Sequence, residues 1–223
     1  MLHSSLRQEV LDTAIALKDY GLVWMAGGTV CAREPESGLI IVTPSGLDYS
    51  HLTAGDMIVT DLEMNVLEGP YRPSVALNLW TAILRARPEL HAIVHTHSTH
   101  AAAFSVADQA IPMVTETMAD WFGGSIPVAP YLHVEDPDFA SKPVEVLGDG
   151  FAVLLGRHGP ITVGVTLHEA LERAVTLEEG AKINFVARVL GQPQVFSEAE
   201  ARSSFEYYTQ RYGQPKVEGS PST

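Results

Sequence analysis

Leu90-His91-Ala92-Ile93-Val94-His95-Thr96-His97-Ser98 is an apolar run that closes on two imidazoles one residue apart. The run predicts a strand from Ala92 to His97, and a strand sends residues i and i+2 to one face, so both rings point into the same space. Imidazole nitrogens suit zinc and other first-row divalent ions. A catalytic site typically takes three protein ligands and keeps one position open. The same spacing also fits a partly exposed polar strand face, and a third ligand is what separates the two readings.

Among the other seven histidines, His158 is the best placed. Phe151-Ala152-Val153-Leu154-Leu155 reads as a buried strand and Gly156-Arg157-His158-Gly159-Pro160 as the turn after it, and glycines flanking a histidine let two strand ends approach closely. His158 is therefore the candidate third ligand. His100 falls where the chain enters a helix through Ser98 or Thr99, which suits a supporting or surface group. His3, His51, His91, His133 and His168 lack the geometry.

With 223 residues the chain can bury a sizeable core in one domain. No apolar run approaches the ~20 residues that span a bilayer, and the first residues lack a signal-peptide pattern, so a cytoplasmic protein without membrane contact is expected. The single cysteine, Cys31, has no intrachain partner and reads as a buried thiol in a reducing compartment. A formal charge of −13 without basic stripes argues against nucleic acid.

Outward from the histidine strand, residues 4–20 place Leu6, Val10, Leu11, Ala14, Ile15 and Leu17 at helical spacing, with Ser4 or Ser5 as N-cap and Gly21 as stop. Short strands are predicted at Ile40-Ile41-Val42 and Met57-Ile58-Val59-Thr60, and Pro73 starts a second helix that reaches Arg87. A short Ala-rich helix begins at Thr99, and residues 118–126 read as irregular. Ile161 to Val165 forms a further strand. Thr166 caps a long helix, with Glu169 at the capping-box position and Gly191 at its close. An amphipathic segment from Ser197 to Tyr212 precedes a Pro-, Gly- and Ser-rich tail, residues 213–223, with a disordered composition. Strands and helices mixed without strict βαβ alternation predict a sheet covered by helices.

Several stretches in one order resemble the class II aldolase (aldolase/adducin-domain) superfamily, which includes fuculose-phosphate aldolase and L-ribulose-5-phosphate 4-epimerase. They are Gly21-Leu22-Val23, the glycine loop Gly27-Gly28-Thr29-Val30-Cys31-Ala32-Arg33, Thr43-Pro44-Ser45-Gly46-Leu47-Asp48-Tyr49, Arg72-Pro73-Ser74, His95-Thr96-His97-Ser98 and His158-Gly159-Pro160. Ala119-Asp120-Trp121-Phe122-Gly123-Gly124-Ser125-Ile126-Pro127 and Tyr212-Gly213-Gln214 look most like the epimerase branch. The resemblance implies one α/β domain over residues 1–212, a three-layer α/β/α sandwich around a largely antiparallel sheet. It further implies a divalent ion per chain, zinc or else manganese, cobalt or iron, on His95, His97 and His158. By the same resemblance Asp120 and Tyr212 would be the proton-transfer residues, the C-terminal tyrosine acting across a subunit boundary of a fourfold tetramer. Gly28, Thr29, Ser45, Gly46 and Ser74 would seat a phosphate, with Arg72 as a cation near them.

The sequence departs from that pattern where it matters chemically. The family follows Pro-Ser-Ser with Glu or Asp, whereas Pro73-Ser74-Val75-Ala76 puts a methyl at the carboxylate position. Thr29, Cys31 and Thr43 replace an asparagine, a serine and the epimerases' lysine. Three readings follow: a metal-dependent aldolase or 4-epimerase acting on a small hydroxy-carbonyl carbohydrate, with Glu116 as a further candidate base; a decarboxylase of a β-keto acid, which needs no base to start; and a non-catalytic adducin-like binding module. Trp24, Trp80 and Trp121 read as packing residues, with Trp80 placed to narrow the pocket.

Overall fold

Helix α1 (Ser4–Asp19) opens the chain, in a computed structural model that describes residues 1–213; the rest of the expected tail lies outside the described residues. It buries Val10, Leu11, Ala14 and Leu17 and ends at Gly21, whose φ of +69° is the left-handed conformation that glycine adopts freely. Its N-cap is His3 rather than Ser4 or Ser5, because both serines are already helical and Ser5 Oγ donates to Glu9 at 3.2 Å. Strand β1 (Thr29–Arg33) takes up most of the glycine-loop segment, and β2 (Ile40–Val42) and β3 (Ile58–Thr60) fall where their apolar runs place them. Edge strand β4 (Val66–Glu68) is not expected from the sequence: its two apolar residues, Val66 and Leu67, are adjacent rather than alternating, and both are exposed.

Helix α2 (Leu77–Ala86) starts at Leu77 and not at Pro73, because Pro73 forms a β-bridge with Pro44 and the Ser74 carbonyl accepts from Leu77 N at 3.1 Å. Strand β5 (Ala92–His95) stops at His95, so His97 lies beyond the strand, its amide donating to Leu22 O at 3.2 Å. Helix α3 (Thr99–Val106) follows. Helix α4 (Glu116–Phe122) replaces the irregular stretch expected over residues 118–126; Thr115 Oγ1 accepts from Met118 N, and Gly123 at φ +65° ends it. Seven residues are too few for a helical period to register in sequence.

After β6 (Val128–Ala129) and α5 (Ser141–Leu147) come β7 (Ala152–Leu155) and β8 (Pro160–Gly164). Helix α6 (Leu167–Leu190) is capped by Thr166 Oγ1, which accepts from Glu169 N at 3.1 Å. The Glu169 carboxylate accepts from Val165 N and so leaves the capping box open. In α7 (Glu198–Arg211) the box closes between Ser197 and Glu200.

The eight strands form one sheet in the order β4-β3-β2-β1-β5-β8-β7-β6, antiparallel except for the parallel β6–β7 pair. Alternation along β5 sends Ala92 and Val94 to the α1 and α6 side and Ile93 to the α2 and α5 side, so the sheet is the middle of three layers. A third cluster joins α3, α4 and α6 over β7. Each fully buried Leu, Ile or Val contributes roughly 1.5–3 kcal/mol before entropy, and cores on both faces of β5 fix the position of its histidine end. Cys31 is buried at the sheet centre, and burial pushes its thiol pKa far up. No helix among the described residues is long and apolar enough to cross a membrane.

Candidate metal centre

β5 and β8 pair in a register that sets His95 opposite Ile161, so the end of β5 meets the turn that carries His158. That approach needs glycine. A Cβ on Gly159 would lie 2.2 Å from the Thr96 carbonyl oxygen, and one on Gly27 would lie 2.9 Å from His97 Nδ1. On Gly156 a Cβ would meet Tyr131 N at 2.7 Å. The glycines flanking His158 therefore let the turn close onto the neighbouring strand end, as their placement in the sequence predicts.

The three imidazoles converge on one point. His97 Nε2 lies 3.2 Å from His95 Nε2 and 2.9 Å from His158 Nε2, and the ligand atoms of all three fall within 4.8 Å of one another. Nitrogens each about 2.0–2.1 Å from a tetrahedral zinc sit roughly 3.3 Å apart. His95 Nδ1 is 3.0 Å from the Pro160 carbonyl oxygen, which can only accept, so Nδ1 carries the proton and Nε2 presents its lone pair to the centre.

Electrostatics favours the neutral ligand form. Burial, then the neighbouring His158 and His97, holds His95 well below the usual histidine range. Burial lowers His97 as well. His158 is brought down to about 4 by desolvation of its cavity side and by His97, although its outer edge reaches solvent. Three neutral nitrogens facing each other without a shared cation is a repulsive arrangement, and a divalent ion resolves it. The donor set fits such an ion.

A cavity of about 170 Å³ opens on the trio, walled by residues 26–29, 44–46 and 74–76 and by Trp80. Gly28, Thr29, Ser45, Gly46 and Ser74 all line it. Gly28 holds φ +86°, and a Cβ there would sit 2.7 Å from the His95 carbonyl oxygen, so no other residue brings the loop this close. Apart from the histidines no ionisable side chain among the described residues lines the cavity.

Some expected site residues lie elsewhere. The Arg72 side chain is exposed and off the cavity; its contribution is a carbonyl that accepts from Ser45 N at 3.0 Å. Asp120 accepts from Ser204 Oγ at 2.6 Å and lines a separate cavity of about 500 Å³ with Tyr208. Tyr212 stacks on Tyr208 with centroids 4.8 Å apart, so Asp120 and Tyr212 both lie beside Tyr208 and neither lines the cavity of this chain's own histidines. Glu116 sits in the first turn of α4. His100 is outside the trio, its Nδ1 2.8 Å from Glu178.

The tryptophans divide. Trp121 packs against Tyr208, while Trp24 is 54 % exposed and does not pack as expected. Trp80 is buried and also part of the cavity wall, its ring centroid 5.6 Å from that of His95. Its indole N–H donates to Ser74 Oγ at 3.1 Å, a bond invisible in sequence because it depends on where α2 begins.

Residues 8–185 match the family model described as the class II aldolase and adducin N-terminal domain. The chain is 37% identical over 194 residues to L-ribulose-5-phosphate 4-epimerase UlaF of Salmonella paratyphi C (strain RKS4594), covering 82% of this chain and 85% of that protein. An L-fuculose 1-phosphate aldolase structure superposes with a TM-score of 0.89 at 27% identity, covering 94% of this chain and 98% of the other. YgbL from Escherichia coli, described as a candidate aldolase/epimerase/decarboxylase, superposes with a TM-score of 0.82 at 27% identity over 92% of this chain and all of its own. Fold, histidine geometry and these likenesses agree: the chain belongs to the class II aldolase and adducin N-terminal domain family.

Proposed function

We propose that the protein is a divalent-metal-dependent lyase or epimerase that breaks or remakes a carbon–carbon bond in a small hydroxy-carbonyl carbohydrate, a sugar phosphate or sugar acid. The observation that carries this reading is the convergence of three neutral Nε2 atoms on one point at the wall of a cavity that Thr29 and Ser45 also line. Zinc suits a three-imidazole set best, with manganese, cobalt or iron as alternatives. An ion there supplies positive charge beside the oxygens on which negative charge develops when a bond next to a carbonyl breaks.

The chain's own groups bind and orient. Thr29 and Ser45 offer hydroxyls, with Ser74 bonded behind Thr29, and the loop around Gly28 and Gly46 offers a close backbone, so the anionic end of a substrate is seated without a cationic side chain. Because no carboxylate or tyrosine among the described residues of the same chain reaches the cavity, proton transfer falls to Asp120 and Tyr212 of a neighbouring copy, in a homotetramer with sites at its subunit boundaries. Such an assembly of a chain with one buried thiol fits a cytoplasmic enzyme.

Ala76 favours a second reading. Its methyl lies in the wall where a carboxylate would serve as base, and loss of carbon dioxide from a β-keto acid needs no base to begin. Incubating the zinc-loaded protein with phosphorylated and unphosphorylated ketoses and with β-keto acids separates the two: an aldehyde or an epimer supports the first, carbon dioxide the second. Metal analysis of protein purified without chelator tests both against a non-catalytic module. About one ion per chain is expected, and none would overturn the enzyme reading.

A further inference from the structure

Ser74 Oγ sits at the junction of three groups. The Trp80 indole N–H donates to it at 3.1 Å and the Ala76 amide at 3.4 Å, and Thr29 Oγ1 lies 3.2 Å away. An indole N–H and an amide N–H can only donate. Both acceptor positions of the Ser74 oxygen are thereby filled, and its single proton has Thr29 Oγ1 as its one remaining partner among the described residues. Thr29 must then accept from Ser74. Its own proton has no acceptor among the described residues, although the side chain is 6% exposed and borders the cavity.

We infer that Trp80 is a positioning residue: through a one-way chain Trp80→Ser74→Thr29 it turns the Thr29 hydroxyl into a fixed donor aimed at an anionic group of the substrate. Without the indole N–H, Ser74 is free to accept from Thr29, and the donor is lost to the cavity for part of the time. The same ring packs beside His95, so one buried side chain braces a histidine of the trio and sets the polarity of the anion seat. This rests on the cavity being the substrate site.

Inorganic phosphate is the probe, titrated calorimetrically into the zinc-loaded protein. Trp80→Phe keeps aromatic bulk and removes the donor; phosphate affinity should fall about 3- to 10-fold, the size of one neutral hydrogen bond. Ser74→Ala should cost about the same, and the double variant should lose no more than either single one, because each breaks the same chain. The ion is common to all four proteins, so its own attraction for phosphate cancels in this cycle. A merely structural role for Trp80 predicts additive losses. Should Trp80→Phe fail to fold, benzothienylalanine at position 80, which exchanges only the N–H for sulfur, gives the same comparison. Unchanged affinity in the position-80 variant, additive losses, or no saturable phosphate binding by the parent protein would each overturn the inference. One ion per chain in that parent protein would still leave the proposed metal centre standing.

Discussion

His95 Nδ1 lies 3.0 Å from the carbonyl oxygen of Pro160, which also accepts the Thr96 amide at 3.1 Å. One carbonyl thus ties the tautomer of a candidate ligand to the pairing of β5 with β8, and the sheet itself aims the lone pair. His158 has no such tether and is the most exposed of the three. His158→Ala should therefore reduce bound metal from about one ion per chain to near zero while unfolding stability moves by no more than about 0.5 kcal/mol. Metal analysis alongside thermal unfolding checks it, and full metal content in this variant would remove His158 from the ligand set.

Gly159 carries the close approach that brings His158 in. A methyl there would lie 2.2 Å from the Thr96 carbonyl oxygen, well inside any non-bonded contact, so the turn or the strand end must shift. Gly159→Ala should destabilise the protein by about 1–3 kcal/mol and weaken metal binding, although it removes no ligand. Gly124→Ala, at a position with nothing within 4 Å of the added atom, is the control and should stay within about 0.5 kcal/mol of the parent. Denaturant midpoints and a chelator competition measure both effects.

Acid should destabilise the chelator-treated protein in a window set by the trio. The folded-state pKa of His158 is about 4, against about 6.5 for an ordinary histidine, and His95 and His97 are lowered too. Between these values the unfolded chain binds protons that the folded chain refuses, so unfolding free energy falls as pH drops from about 6.5 towards 4. Above that window all forms are neutral and the trio contributes no slope. Urea midpoints at several pH values should show this decline, and His158→Ala should flatten part of it. An equal slope in the variant would assign the acid sensitivity to other groups.

Much of this site was legible because its signals are local. The His95-Thr96-His97 spacing, the glycines around His158 and the Ser45-Gly46 turn each prescribe their own backbone, and short apolar runs marked β5, β7 and β8. Elements that depend on distant partners were not legible. α2 begins at Leu77 only because Pro73 bridges to Pro44, and β4 is exposed and held by pairing alone. His97 joins the trio although it lies past the strand, held by Leu22 of the α1–β1 connection. The position of Arg72 was lost for the same reason: its carbonyl, and not its guanidinium, is what the Ser45 turn uses. The Trp80–Ser74 bond likewise depends on the register of α2 and escapes any reading of spacing.

Ala76 decides how much charge the centre can hold. It is the N-cap of α2 and part of the cavity wall, and its own side chain supplies neither a cap nor a ligand. Ala76→Glu would place an anion at a helix N-terminus, where the dipole favours it, and beside a trio whose ligands are all neutral. Zinc affinity in a chelator competition should rise about tenfold or more, since a carboxylate adds both a ligand atom and an opposite charge. The same change should weaken binding of a small acid such as glycolate to the zinc-loaded protein by about tenfold, because the new carboxylate takes its coordination position and repels its charge. A β-keto acid decarboxylase should lose turnover in this variant, whereas an aldolase or epimerase gains a candidate base and should hold or increase its rate. Unchanged zinc affinity would mean that position 76 does not address the ion, and the argument from its missing carboxylate would fall with it.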